Sequence, residues 1–294
     1  MGKLLYSEPL VTEELAKIKK RINANNLTGE NTPVLQIIRV GNDQASKKYV
    51  DNKIKMCGEV GITSQVTHFS EYTPKAKLLE YIYDVNKSNF IDACLIQLPL
   101  PYIPDSDDVL NALHPSKDVD GFSEENLGKL ISGKPSIQAC TPKGVISLLK
   151  YYGIEIAGKN VVIINRSVIV GKPLSLLLLK EDATVTVCHS KTENLQEHID
   201  KSDIVITAVG LAGVFTADNF RNSKCKTIVD ISINMDEDGK LCGDIEKKDY
   251  YKILDMGISL TPVPGGIGPM TVLSLIKNTC EIKERSMKES KEDE

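Results

Sequence analysis

Short β-branched runs alternate with helix-spaced stretches along almost the whole chain, and this alternation narrows the fold more than any other feature. The runs are VLQIIRV (34–40), SQVTHF (64–69), ACLIQLPLP (93–101), VVIIN (161–165), TVTVC (184–188), IVITAVG (204–210), TIVDISIN (227–234) and GISLTPVP (257–264). Between them, residues 12–26, 45–60, 74–87, 142–152 and 173–180 carry apolar positions at helical spacing, with Gly41-Asn42-Asp43 and Gly61 as turn signals. Strands that alternate with helices imply a parallel α/β layer. The Pro-, Asp-, Ser- and Gly-rich stretch 102–140 reads as loops and short helices, and it separates a first domain, 1–140, from a second, 141–269. No internal repeat is visible, and the mixed-charge end EIKERSMKESKEDE (281–294) is expected to be frayed and solvated.

Length and charge limit the partners. A chain of 294 residues suits two domains of roughly 100 to 200 residues each. With 36 basic and 40 acidic residues the formal charge is −4, which is no footprint for nucleic acid or an acidic membrane surface. No window approaches the roughly 20 apolar residues of a membrane span, and MGKLLYSEPL is not expected to be a signal peptide. Seven cysteines, an odd number without a C-x-x-C pair, argue against a disulfide framework or a metal site and for a cytoplasmic setting. The sequons at Asn26 and Asn165 are then silent.

The run VVIINRSVIVGKPL has strand-turn-helix grammar, with Pro173 suited to a first helical turn and Gly171 expected to let the backbone approach a pyrophosphate. Only the last glycine of G-x-G-x-x-G is present, so an ordinary βα turn competes evenly at this point. An NAD-selective protein places Asp or Glu about 20 residues further on to bind the ribose 2′-hydroxyl. Here TVTVC is followed by His189-Ser190-Lys191-Thr192, a cluster that favours a 2′-phosphate, with Arg166 a second phosphate partner.

In ASKKYVDNKIKMCGEVGI, Tyr49 and Lys53 stand at i and i+4 and share one helix face. Burial or a nearby cation lowers a lysine pKa from about 10.4 towards neutrality, which makes a usable base. Isolated Y-x-x-x-K pairs more often sit solvated on a surface helix. Short-chain dehydrogenases use the same spacing but place the nucleotide turn first, the reverse of the order here. Gln97, at the carboxyl end of a strand, and KDVDGF, with Asp118 and Asp120, read as pocket walls, although a loop carboxylate can equally cap a helix. TPVPGGIGPMTV is a stiff loop of the kind that touches a ligand or another backbone.

The segments VGNDQASKKYVDNKIKMCGEVGI, LIQLPLP, KDVDGF, CTPKGV, RSVIVGKP, ATVTVCHSKT, GDI and TPVPGGIGPMTV, in this order, resemble the bifunctional methylenetetrahydrofolate dehydrogenase/cyclohydrolase family across nearly the whole chain. The resemblance implies two α/β domains flanking a cleft, the C-terminal one a Rossmann-type NADP-binding domain, with a last helix (about 270–294) packing back on the first, folate-binding domain. It implies a homodimer, a folate substrate and no metal. Lys53 is the implied hydrolytic residue, aided by Gln97 and more loosely Ser46. Tyr49 is implied to lie against the folate rings and Asp120 to hydrogen-bond the pterin. Leu98, Pro99, Pro262, Gly265 and Gly266 are implied to line the substrate pocket, and Asn165, Arg166, Ser167, Ser190 and Ile233 to bind the cofactor. Three positions depart from the family pattern: Asn165 and Ser232 stand where glycine is usual, and Ala139 where proline is usual. The implied activity is oxidation of methylenetetrahydrofolate with NADP, then hydrolysis to 10-formyltetrahydrofolate. The alternatives are a single-activity or NAD-using member and a non-catalytic nucleotide-binding regulator.

Overall fold

The structure is a computed structural model describing residues 1–103, 106–134 and 136–292. The chain forms two compact units, one of residues 13–140 with 272–294 and the other of residues 1–12 with 141–271.

The elements up to residue 140 are α1 (Glu8–Ala24), β1 (Val34–Val40), α2 (Gln44–Val60), β2 (Thr63–Phe69), α3 (Lys75–Lys87), β3 (Ala93–Gln97), α4 (Asp107–Asn111) and α5 (Glu124–Ile131). The three strands form a parallel sheet in the order β2-β1-β3. Central β1 buries Leu35, Ile37 and Ile38 completely, as a near-continuous apolar run in a covered parallel sheet should. The register pairs Arg39 with Gln97, which sets Gln97 at the carboxyl edge beside the β1-to-α2 turn. There the Asp43 side chain accepts from Ser46 N at 2.6 Å and starts α2, and Gly61, at φ 98°, closes it. Of the loop-rich stretch 102–140, residues 104–105 and 135 lie outside the described residues.

The remaining elements are α6 (Cys140–Tyr151), β4 (Asn160–Ile164), α7 (Gly171–Lys180), β5 (Thr184–Cys188), α8 (Leu195–Asp200), β6 (Ile204–Thr207), β7 (Thr227–Asp230), β8 (Asn234–Met235), β9 (Leu241–Cys242), α9 (Tyr250–Asp255), β10 (Ser259–Leu260) and α10 (Ile267–Glu292). Five strands form a parallel sheet in the order β10-β7-β6-β4-β5. Val162, Ile164, Val205, Phe220 and Ile228 are among its core. Since β5 lies on one side of β4 and β6 on the other, the winding reverses between β4 and β6, and open α/β sheets bind ligands at the carboxyl edge of such a switch point.

Several sequence expectations are corrected. Strands β6, β7 and β10 end at Thr207, Asp230 and Leu260: Ala208 N, Ile231 N and Thr261 N each make one last bond to a neighbouring strand, at Ile164 O, Thr207 O and Ile228 O, and the chain then leaves the sheet, with Val209 N and Gly210 N turning to the Asp244 side chain. The polar end is no frayed tail: helix α10 continues through it to Glu292, with residues 293–294 outside the described residues. Ion pairs fasten it, Glu284 to Arg21, Lys277 to Glu14 at 2.5 Å, and Lys283 to Asp92 at 3.0 Å. Charge patterning along that segment reads as solvated only while its partners are unknown.

Candidate active site

Helix α2 places Ser46, Tyr49 and Lys53 on one face, at i, i+3 and i+7. Lys53 is only 4% exposed, so the surface-lysine reading fails. Its Nζ donates to Gln97 Oε1 at 2.9 Å and lies 4.8 Å from the centroid of the Tyr49 ring. The Gln97 amide is oriented by its own Nε2, which donates to Leu98 O at 2.8 Å and turns Oε1 towards the lysine. Burial lowers the Lys53 pKa, while the nearby Asp120 carboxylate and the Cys140 and Cys57 sulfurs oppose that shift.

The two aspartates of KDVDGF divide their work. Asp118 is buried and accepts from Gly121 N, Ser123 N and Asn126 Nδ2 at 2.9, 2.7 and 3.1 Å, which makes it the brace of the turn. The chain at 117–119 runs beside β3, with Cys94 N donating to Lys117 O and Val119 N donating to Cys94 O. Gly121 is required here: its φ is +70°, and a Cβ would stand 2.6 Å from Ile137 O. The braced turn delivers Asp120 to Lys53. Burial pushes the Asp120 carboxyl up to about 6 against the pull of Lys53, with Asp118 adding to the rise and a hydrogen bond with Cys140 opposing it.

Cys140 escaped the sequence reading. Its thiol also lies 3.5 Å from Val119 O and from Asn278 Nδ2, where it links the aspartate turn to α10. The signal was available in CTPKGV, but a cysteine before a helix reads as core when nothing shows its neighbours.

At the switch point the sequence expectation about Gly171 is corrected. A Cβ there would stand 2.2 Å from Asn165 O, so glycine is needed for close approach to the chain's own backbone. Four amides at the turn are already engaged: Gly171 N and Ser167 N donate to Asn165 Oδ1 at 3.0 and 2.8 Å, Val170 N to Ser167 Oγ and Lys172 N to Ser167 O. Ser167 Oγ also donates to Asn165 Oδ1 at 2.7 Å. Arg166 after β4, and Ser190 and Lys191 after β5, are exposed at the carboxyl edge of the sheet, with no carboxylate in the 189–192 cluster. This donor set fits a phosphorylated dinucleotide. Ile233 is 53% exposed on the same edge.

Pro262, Gly265 and Gly266 form a constrained loop. Ser7 N and Ser7 Oγ both donate to Gly265 O at 2.9 Å, and a Cβ on Gly266 would stand 2.6 Å from Pro262 O. Leu98 and Pro99 follow Gln97 directly, half-buried and exposed. Ala139 is buried, and nothing in the structure explains its presence in place of proline.

A parallel doubly wound sheet with exposed basic and hydroxyl side chains at its carboxyl edge, in a chain that also buries a lysine among an amide, a tyrosine and a carboxylate, defines a dinucleotide-binding α/β protein equipped to move protons. Residues 5–120 match the catalytic domain of tetrahydrofolate dehydrogenase/cyclohydrolase, and residues 139–287 match its NAD(P)-binding domain. The chain belongs to this family. It is 44% identical to a bifunctional protein FolD of Magnetococcus marinus over 94% of both chains. The crystal structure of the bifunctional enzyme FolD from Campylobacter jejuni superposes with a TM-score of 0.89 at 36% identity, covering 97% of this chain and all of that one. The FolD of Trypanosoma brucei, complexed with NADP cofactor and an inhibitor, gives 0.87 at 29% identity over 97% and 98% of the two chains.

Proposed function

We infer that this chain oxidises methylenetetrahydrofolate to methenyltetrahydrofolate with NADP and hydrolyses the product to 10-formyltetrahydrofolate. Beyond family membership, the observation that carries this reading is the buried Lys53 amine, hydrogen-bonded to Gln97 with its pKa lowered by burial.

Oxidation asks little of side chains. The folate nitrogens expel a hydride from the methylene carbon, and NADP, when bound, accepts it, so positioning supplies most of the catalysis. Tyr49 offers a ring face to the folate and Asp120 a carboxylate to the pterin, with Ser46, Leu98, Pro99, Pro262, Gly265 and Gly266 as further substrate contacts. Arg166, Ser190, Ser167, Ile233 and Asn165 serve the cofactor, the first two at its phosphates.

Hydrolysis needs a base. Water attacks the methenyl carbon, a C–O bond forms, one C–N bond breaks and a proton is released. Lys53 in its neutral form takes the proton, and the cationic substrate depresses its pKa further. Gln97 holds the amine in place.

The product is a formyl donor of the kind purine synthesis consumes. Seven buried thiols support a reducing, cytoplasmic setting, and the family resemblance supports a homodimer. Two absorbance assays test the reading, NADPH formation from methylenetetrahydrofolate and decay of methenyltetrahydrofolate. Both activities are expected. Oxidation without hydrolysis would make this a single-activity member, a preference for NAD would overturn the cofactor assignment, and neither activity would leave a nucleotide-binding regulator.

A further inference from the structure

The exit of β6, residues 208–211, is gripped from both neighbouring strands. From the β4 side, Asn165 Nδ2 donates to Ala208 O at 2.7 Å, directly across the switch point. From the β7 side, Ser232 Oγ accepts from Gly210 N at 3.1 Å and donates to Asp244 Oδ2 at 2.8 Å. Asp244 is fully buried and collects three consecutive loop amides, Val209 N at 2.7 Å and Gly210 N and Leu211 N at 3.0 Å each. Its remaining bonds come from Thr207 Oγ1 at 2.6 Å and Asn234 Nδ2 at 3.2 Å.

Three successive N–H groups turned to one side make a concavity that ordinarily receives an anion. Here Asp244 fills it from within the protein, so this loop has no such concavity to offer a phosphate. What the loop turns outward is apolar: Val209 is 39% and Leu211 57% exposed, beside the exposed Ile233 after β7. Apolar side chains grouped at a ligand-binding edge, on a backbone fastened beneath them, suit a flat uncharged ring better than a phosphate.

We propose that Ser232 and Asn165 are positioning residues that, with Asp244, clamp the β6 exit loop and pre-form the wall against which the nicotinamide end of the dinucleotide packs. This rests on the dinucleotide reading given above. Neither side chain needs to touch the cofactor: each acts through the loop backbone, and the gain is a loop that loses no freedom when the ligand arrives. Because both hold the same four residues, their contributions are coupled and not additive.

The test uses the full-length protein without substrate. Amide hydrogen exchange is followed at residues 209–211, and NADP affinity is titrated by quenching of tyrosine fluorescence, for wild type, S232A, N165A and the double variant. Thermal denaturation verifies that each variant is folded. Each single variant is expected to speed exchange at these amides and to weaken NADP binding about fivefold, the worth of one hydrogen bond. The double variant should differ from the product of the two. S232T keeps the hydroxyl and should restore both properties. Exchange at wild-type rates in folded variants, faster exchange with unchanged affinity, or a double variant equal to that product would overturn the clamp while leaving the cofactor reading intact. Wild-type protein that binds neither NADP nor NAD would overturn the cofactor reading and the clamp with it.

Discussion

The lysine site and the dinucleotide edge both bury charged groups, but they treat them in opposite ways. Among the described residues Lys53 has one hydrogen bond, to Gln97, with an aromatic face and an Asp120 carboxylate beside it whose affinity for its proton is raised by burial. Asp244, by contrast, is saturated by six donors. A charge satisfied on every side fixes geometry, whereas one left partly unsatisfied stays available for proton transfer. Burial alone therefore does not mark a reactive group. The count of its partners separates the two sites.

The largest test of that contrast is Lys53→Met, which keeps most of the stem and removes an amine that burial already disfavours in its charged form. Hydrolysis of methenyltetrahydrofolate should fall by about 10² to 10⁴, and oxidation much less. Equal losses in both activities with unaltered folate binding would remove the lysine from the hydrolytic step. Next in size is Arg166→Ala. If the charged side chain meets the 2′-phosphate, the KM for NADP should rise roughly 10- to 100-fold and that for NAD far less. A matched rise for both cofactors would put Arg166 elsewhere on the dinucleotide.

How far these regions could be read from sequence follows the same division. The alternating β-branched runs announced the parallel layers, and Tyr49, Lys53, Gln97 and Asp120 were each named before their neighbours were visible. The four meet because the β1–β3 register and the Asp118-braced turn converge, which no local pattern states. The dinucleotide edge was harder. Gly171 looked like a phosphate contact and proves to be a contact with the chain's own backbone, while Asp244 was part of a matching GDI segment with no role attached. A glycine signals that something comes close without saying what. A buried aspartate looks like any other until its donors are known. The strand ends failed for a related reason, since apolar β-formers such as Val209 and Ile233 read as strand yet stay exposed at the carboxyl edge, outside the sheet.

The smallest expected effect sharpens the comparison most, because it asks whether a single neighbour sets the protonation of the reactive site. Asp120 titrates near 6, held up by burial, while the Cys140 thiol opposes the rise by hydrogen-bonding to the ionised carboxylate. Above that value the carboxylate is charged and able to accept hydrogen bonds from a pterin, the role proposed for it. Below it the carboxyl is protonated, an acceptor site is lost and Lys53 loses its neighbouring anion. The kcat/KM for methylenetetrahydrofolate should thus decline as pH falls through about 6, by up to about tenfold per pH unit, since that ratio reports groups on the free enzyme. Cys140→Ala deletes a donor that favours the charged form, so the midpoint should move up, by less than about one unit. A midpoint that stays fixed in Cys140→Ala, or moves down, would mean that Cys140 only fills space and that burial with Lys53 and Asp118 alone governs Asp120.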